Sequence, residues 1–154
     1  MSSRLRFLLA LAVAACTPLA SAQTATITSS VNVRAGPHKM FPTVTWLLTG
    51  TSVTVVGCVA NWRWCDVIAG RERGWVYSRY LALPSDGGAI TVLRGGPRLG
   101  LPAIEFSVGP YWDEHYRTKR WFAEKSNMQR RWDQQRPPRE WREPGSAPAV
   151  PVAR

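Results

Sequence analysis

Short stretches of alternating apolar and polar residues run from residue 26 to residue 81. In residues 26–34, Ile27, Val31 and Val33 fall on one side and Asn32 and Arg34 on the other. That period of two predicts a half-buried strand. Gly36-Pro37 ends it. Residues 38–42 read as an exposed loop with Phe41 tucked inward. Residues 43–48 predict a second strand, Thr49-Gly50-Thr51 a turn, and residues 52–56 a third strand. A hairpin leads into a fourth strand at residues 64–68, and a turn carrying Gly70 leads to a closing strand at residues 74–77. Ser78-Arg79-Tyr80-Leu81 reads as one helical turn. Strands this short and this closely spaced predict an all-β fold, a small antiparallel β-barrel or sandwich over residues 27–83, and exclude a βαβ arrangement. Trp75 and Val76 are expected in its core, because a closing strand must bury one face.

The hairpin carries two cysteines. A loop on residues 60–63 sets Cys58 directly opposite Cys65, and such cross-strand pairs lie within disulfide reach. A two-residue turn on Asn61-Trp62 gives the same pairing but forces Trp62 to positive φ, so the longer loop is expected. The N-terminus bears on redox state. Arg4 and Arg6 precede an apolar run at residues 7–15, Pro18 breaks it, and Ala20-Ser21-Ala22 ends it. This is the pattern of a secretory signal peptide over residues 1–22. Val13-Ala14-Ala15-Cys16 offers an alternative cut, similar to a lipobox, which would leave a lipoprotein anchored through Cys16. The apolar run is far below the ~20 residues that span a bilayer. Export to the periplasm or envelope makes a Cys58–Cys65 disulfide the default. Cys-x6-Cys is not a zinc spacing, and His38 and His115 are distant in sequence, so no metal site is expected.

Charge and aromatic content bear on partners. The chain has 20 Lys+Arg against 10 Asp+Glu, a formal charge of +10, and eight Trp. Such a balance suits nucleic acid, anionic lipid or an acidic wall polymer. Aromatics among basic residues suit single-stranded nucleic acid, but export argues against that partner. No catalytic triad, carboxylate pair or phosphate loop stands out, and no cofactor motif is present, so the chain is expected not to be an enzyme. Glu105, Asp113, Glu114 and His115 form one acidic cluster with a histidine, read as a solvated face.

Residues 84–110 read as a linker, opened by Pro84-Ser85-Asp86-Gly87-Gly88. Two β-prone runs inside it, residues 89–93 and 103–108, are expected to add edge strands or lie across the barrel. Composition changes over residues 111–154. Trp112, Trp121, Trp132 and Trp141 recur there with Arg and Lys between them. Trp121, Lys125, Met128 and Trp132 fall at helical spacing, which predicts an amphipathic helix within residues 111–135, ended by Pro137-Pro138. The tail is then either basic and mostly disordered or a helix that binds an anionic surface. Residues 145–154 are Pro/Ala-rich and expected to be disordered.

Several motifs occur in order: Asn32-Val33-Arg34-Ala35-Gly36-Pro37; Phe41-Pro42-x-Val44; Leu48-x-Gly50-Thr51-x-Val53-x-Val55; Trp62; and Gly74-Trp75-Val76-x-x-x-Tyr80-Leu81. Together they resemble the bacterial SH3-like domain across residues 27–83. The cysteines around Trp62-Arg63-Trp64 resemble a subset of these domains from exported proteins. The resemblance implies a small SH3-like antiparallel β-barrel that binds cell-wall peptide or targets a wall enzyme. It implies a ligand groove with Arg34, His38 and Lys39 on one wall, Asn61 and Trp62 on the other, and Tyr77 and Tyr80 near the floor. Rings offer stiff contact area, and Arg pairs with carboxylates, which suits an anionic stem peptide. Simpler roles compete: Arg34 pinning its turn, His38 as a plain loop residue, Trp62 packing across the barrel, and Asp66 bracing a turn or pairing with an Arg. The expected function is a non-enzymatic envelope module for peptidoglycan or another wall component. The alternative is a scaffold whose basic tail docks a protein partner or an anionic lipid surface.

Overall fold

The computed structural model describes residues 22–135. The expected leader, the lipobox-like Cys16, Trp141 and the Pro-rich end lie outside the described residues, apart from Ala22. Eight strands form one sheet: β1 (Gln23–Ile27), β2 (Val31–Arg34), β3 (Thr43–Leu47), β4 (Ser52–Cys58), β5 (Trp64–Ala69), β6 (Glu72–Tyr77), β7 (Leu81–Ser85) and β8 (Gly88–Thr91). A 3-10 turn (Ser78–Tyr80) separates β6 from β7. The strand predicted over residues 26–34 is two strands, because residues 28–30 leave the ladder.

The sheet order is β3-β2-β6-β5-β4-β1-β7-β8, with antiparallel pairing throughout. This corrects the expected closed barrel: the sheet is open, with β3 and β8 at its edges. The reason lies in β7 and β8. That hairpin extends the sheet beyond β1 instead of bridging back to β3. The sheet still coils, so Val33 and Leu47 share one core with Val55, Val67, Leu81 and Leu83. Sheets twist with a fixed hand, and two curled halves bury one face without closing.

Residues 84–88, read as a linker, are instead the end of β7 and its turn into β8. Ser85 pairs with Gly88 across Asp86-Gly87, and Gly88 takes φ 120. The expected edge strand at residues 89–93 is therefore present as β8. A short helix α1 (Val92–Gly95) and a 3-10 turn (Gly96–Leu99) follow.

Cys58 and Cys65 pair in register and form a disulfide with an S–S distance of 2.05 Å. The hairpin loop is the longer one, closed by a Val59 N–H to Trp64 O bond of 3.0 Å. The disulfide closes a loop of about eight residues, worth about 2.5 kcal/mol on the chain-entropy account. Cys58→Ser/Cys65→Ser protein should lose about that much in denaturant unfolding. Wild type measured in reductant should match it.

The largest departure from expectation is the tail. It is neither disordered nor free over residues 108–135. Helices α2 (Val108–His115) and α3 (Lys125–Gln135), joined through a 3-10 turn (Arg120–Glu124), pack against the sheet. The single helix expected within residues 111–135 is broken between Tyr116 and Lys119. Trp112, Tyr116 and Met128 are buried in a second apolar cluster with Ala35, Phe41, Val59, Trp75 and Phe106. Burying that many rings supplies the drive that propensity alone would not.

Candidate functional site

Two regions hold the residues singled out from sequence. The first is the loop after β2. The Arg34 guanidinium donates to Phe41 O at 2.9 Å, and Ala35 N–H donates to Pro42 O at 2.9 Å. Arg34 therefore pins its own turn. His38 Nδ1 accepts from Met40 N–H at 3.2 Å. Burial, then Lys39 and Arg34, hold its imidazole below the usual range and favour the neutral form that accepts this bond. Lys39 is exposed, and Phe41 is 1% exposed.

The C-terminal segment packs over this loop. Cys58 N–H donates to Pro102 O at 2.9 Å, and Ile104 N–H donates to Cys58 O at 2.8 Å. Gly57 permits the approach, since a Cβ there would lie 2.7 Å from Ile104 Cγ2. The chain then sets Phe106 edge-on to both Phe41 and Trp75, each at 5.3 Å between ring centroids. Trp112 Nε1–H donates to Ala35 O at 2.8 Å, and Tyr116 O–H donates to Arg73 O at 2.7 Å. One apolar cluster thus joins the loop (Ala35, Phe41), the hairpin (Val59) and β6 (Trp75) to the chain's own Phe106 and Trp112. The face between the loop and the hairpin, where a groove was expected, is occupied intramolecularly.

Asp66 anchors the same junction. It is 1% exposed, accepts from Arg73 Nε and Nη2, the latter at 2.7 Å, and accepts from Tyr111 O–H at 2.7 Å. Burial first, then the Asp66 charge, push the Tyr111 phenol well above its ordinary range, so it stays a donor. The hydrogen bonds that Arg73 donates to Asp66 raise its pKa and keep it charged. Of the acidic cluster, Asp113 pairs with Lys125 at 2.6 Å and Glu114 lies 3.8 Å from His115. Glu105 and Glu114 line a shallow depression with Phe106 and Tyr111. Among the described residues, no three His, Cys, Asp or Glu side chains are grouped to hold a metal.

The second region is the hairpin tip and the 3-10 turn after β6. Trp62 sits at φ 60, the left-handed region that a bulky residue rarely adopts. The longer loop was expected to avoid this and does not. Three contacts hold the residue there. Its N–H donates to Val59 O at 2.7 Å, Ser78 Oγ donates to its carbonyl, and its ring lies against Gly96. Gly96 takes φ 49, and a Cβ on it would stand 3.8 Å from the indole. Asn61 Oδ1 accepts from Arg63 N–H at 3.1 Å, which shapes the tip. Trp64, Tyr77 and Tyr80 form a ladder of rings, with centroids 5.4 Å and 6.3 Å apart. The Arg79 guanidinium lies 5.4 Å over the Tyr80 ring. Trp62, Trp64, Tyr77 and Tyr80 are all half-buried, Trp62 and Tyr80 packed against one apolar cluster and Trp64 against the other.

The seven predicted residues therefore divide. Arg34, His38 and Lys39 belong to the loop that the C-terminal segment packs against. Asn61 and Trp62 lie at the hairpin tip, and Tyr77 and Tyr80 flank Ser78, whose hydroxyl and N–H tie the two segments together. Trp64 was not singled out from sequence, although its cross-strand register with Tyr77 was readable from the hairpin. Residues 29–82 match the family model for the bacterial SH3 domain. The chain carries a bacterial SH3 domain. No curated protein and no solved structure matches the chain. The SH3 domain covers β2 to β7; β1, β8 and the helices are built onto it. Such domains are binding modules, often related to the cell wall. Domain family and disulfide together point to a location outside the cytoplasm.

Proposed function

We propose that the protein is a non-enzymatic module of the bacterial cell envelope, exported through the leader at residues 1–22, which binds peptidoglycan stem peptide. The ligand face is the hairpin end of the SH3 domain: Asn61, Trp62, Tyr77 and Tyr80, joined by Trp64. The observation that carries this reading is Trp62. Holding a bulky residue in the left-handed region costs on the order of 1–3 kcal/mol, and such strain concentrates at ligand sites. Here a disulfide, the Ser78 bond and a glycine floor all maintain it. Rigid half-exposed rings give contact area at little entropic cost. Over residues 108–135, Trp112 and Met128 turn inward, so those side chains are not offered to an outside partner.

The test is cosedimentation of the mature chain, from residue 23, with purified peptidoglycan sacculi. Trp62→Ala should weaken binding at least about tenfold, the loss expected when an anchoring ring is removed. Trp62→Phe should restore part of it. Binding by Trp62→Ala equal to wild type would remove this face as the site.

A further inference from the structure

Four arginines lie close in the chain to Trp62 or to a group that touches it, and among the described residues none of them has an acidic partner. Arg63 follows Trp62 in the chain. Arg79 follows Ser78, whose hydroxyl holds the Trp62 carbonyl. Arg94 and Arg98 each stand two residues from Gly96, the floor under the indole. Each is thus within two residues of a group that touches Trp62, or of Trp62 itself. Contacts between elements hold the set together: Ser78 N–H donates to Arg63 O at 2.9 Å, and α1 packs against the 3-10 turn Ser78–Tyr80. All four arginines are exposed.

Among the described residues, the ion pairs lie elsewhere. Arg73, Lys119 and Lys125 are matched with Asp66, Glu72 and Asp113. From residue 73 to residue 104 the chain has a single carboxylate, Asp86, at the tip of the β7–β8 turn. Positive charge is therefore left unbalanced around an aromatic surface. Unpaired guanidinium groups attract one another's counterions and favour a polyanion. Their fork of N–H donors matches phosphate oxygens two at a time. Trp62 and Tyr80 both pack, half-buried, on the same core cluster, and aromatic rings of this kind suit the C–H faces of sugar rings.

We infer that this arginine-rimmed aromatic face is a binding site for a phosphate-bearing glycan of the envelope, contacted by Arg63, Arg79, Arg94 and Arg98 through phosphate and by Trp62 and Tyr80 through sugar. The inference rests on the reading of this face as the ligand face and adds a second ligand chemistry to it. It does not need the stem peptide.

The test uses the mature chain, yeast phosphomannan as the phosphate-bearing glycan, and unphosphorylated mannan as its control. Wild type should bind phosphomannan and not mannan, and rising ionic strength should weaken the binding, since exposed charge contacts are screened. Arg63→Gln/Arg79→Gln/Arg94→Gln/Arg98→Gln protein should lose about tenfold or more. Arg94→Glu/Arg98→Glu, with its near-ultraviolet circular dichroism unchanged, provides a second variant that leaves the hairpin intact and should lose binding as well. Equal binding to mannan, or full binding by both variants, overturns the proposal. So does binding to phosphatidylglycerol vesicles without binding to phosphomannan, which would assign the charge to a membrane surface. Cosedimentation with sacculi separates this inference from the reading above. Loss of sacculus binding in Trp62→Ala with phosphomannan binding unaffected by the arginine changes rejects the glycan site alone. Phosphomannan binding without any sacculus binding rejects the stem-peptide reading alone.

Discussion

Trp112→Ala should lower the unfolding free energy by about 3–5 kcal/mol, the range for deleting a buried large ring. Trp112 is fully buried, and its Nε1–H satisfies the Ala35 carbonyl in the loop of the SH3 domain. Alanine would leave a cavity beside Phe41, Tyr116 and Trp121 and an unpaired carbonyl in the same place. At this chain size, the expected fall in melting midpoint is about 15–20 °C. The outcome that matters is that a residue beyond the SH3 domain controls the stability of the domain. A change near zero in denaturant unfolding would mean that the helices are an independent appendage.

Asp66→Ala should cost about 2–4 kcal/mol, because it strands two partners at once. Tyr111 O–H is largely buried and would lose its acceptor. Arg73 keeps 29% side-chain exposure, so water recovers part of its loss, and the figure stays below that for a fully buried pair. Asp66→Asn keeps an acceptor and should cost about half as much. Tyr111→Phe removes one bond and should cost about 1 kcal/mol. Equilibrium unfolding of the three variants orders them. An Asn variant as unstable as the Ala variant would show that the charge, not the hydrogen bonding, holds the junction.

The strands of the SH3 domain were legible because their signals are local. Ile27 and Val33 alternate with polar neighbours, Gly50 and Gly70 mark turns at positive φ, and the cysteine register follows from the hairpin alone. The inward turn of Phe41, the pairing of Asp66 with an Arg and the burial of Trp75 were readable for the same reason. What was not legible is non-local. Trp112 meets Ala35 across 77 positions, Tyr111 meets Asp66 across 45, and Tyr116 meets Arg73 across 43. No local pattern encodes those contacts. Lys and Arg between the tryptophans gave the tail a solvated look, while Lys119 and Lys125 in fact face Glu72 and Asp113. Asp86-Gly87, read as part of a linker, carries a hairpin signal that the pattern of residues 81–85 and 88–91 supports in hindsight. The groove inferred by resemblance placed Arg34 and Trp62 on facing walls. The protein's own Phe106 lies against Phe41 in that loop, which moves the candidate surface to the hairpin end.

The central claim is that ligand binding belongs to the hairpin end, around Trp62, and not to the loop that the C-terminal segment covers. Cosedimentation with peptidoglycan sacculi tests it most directly when Trp62→Ala and Lys39→Ala are compared in the mature chain. The account predicts at least about a tenfold loss for Trp62→Ala and wild-type binding for Lys39→Ala. Wild-type binding by Trp62→Ala together with loss in Lys39→Ala would contradict it and return the site to the loop.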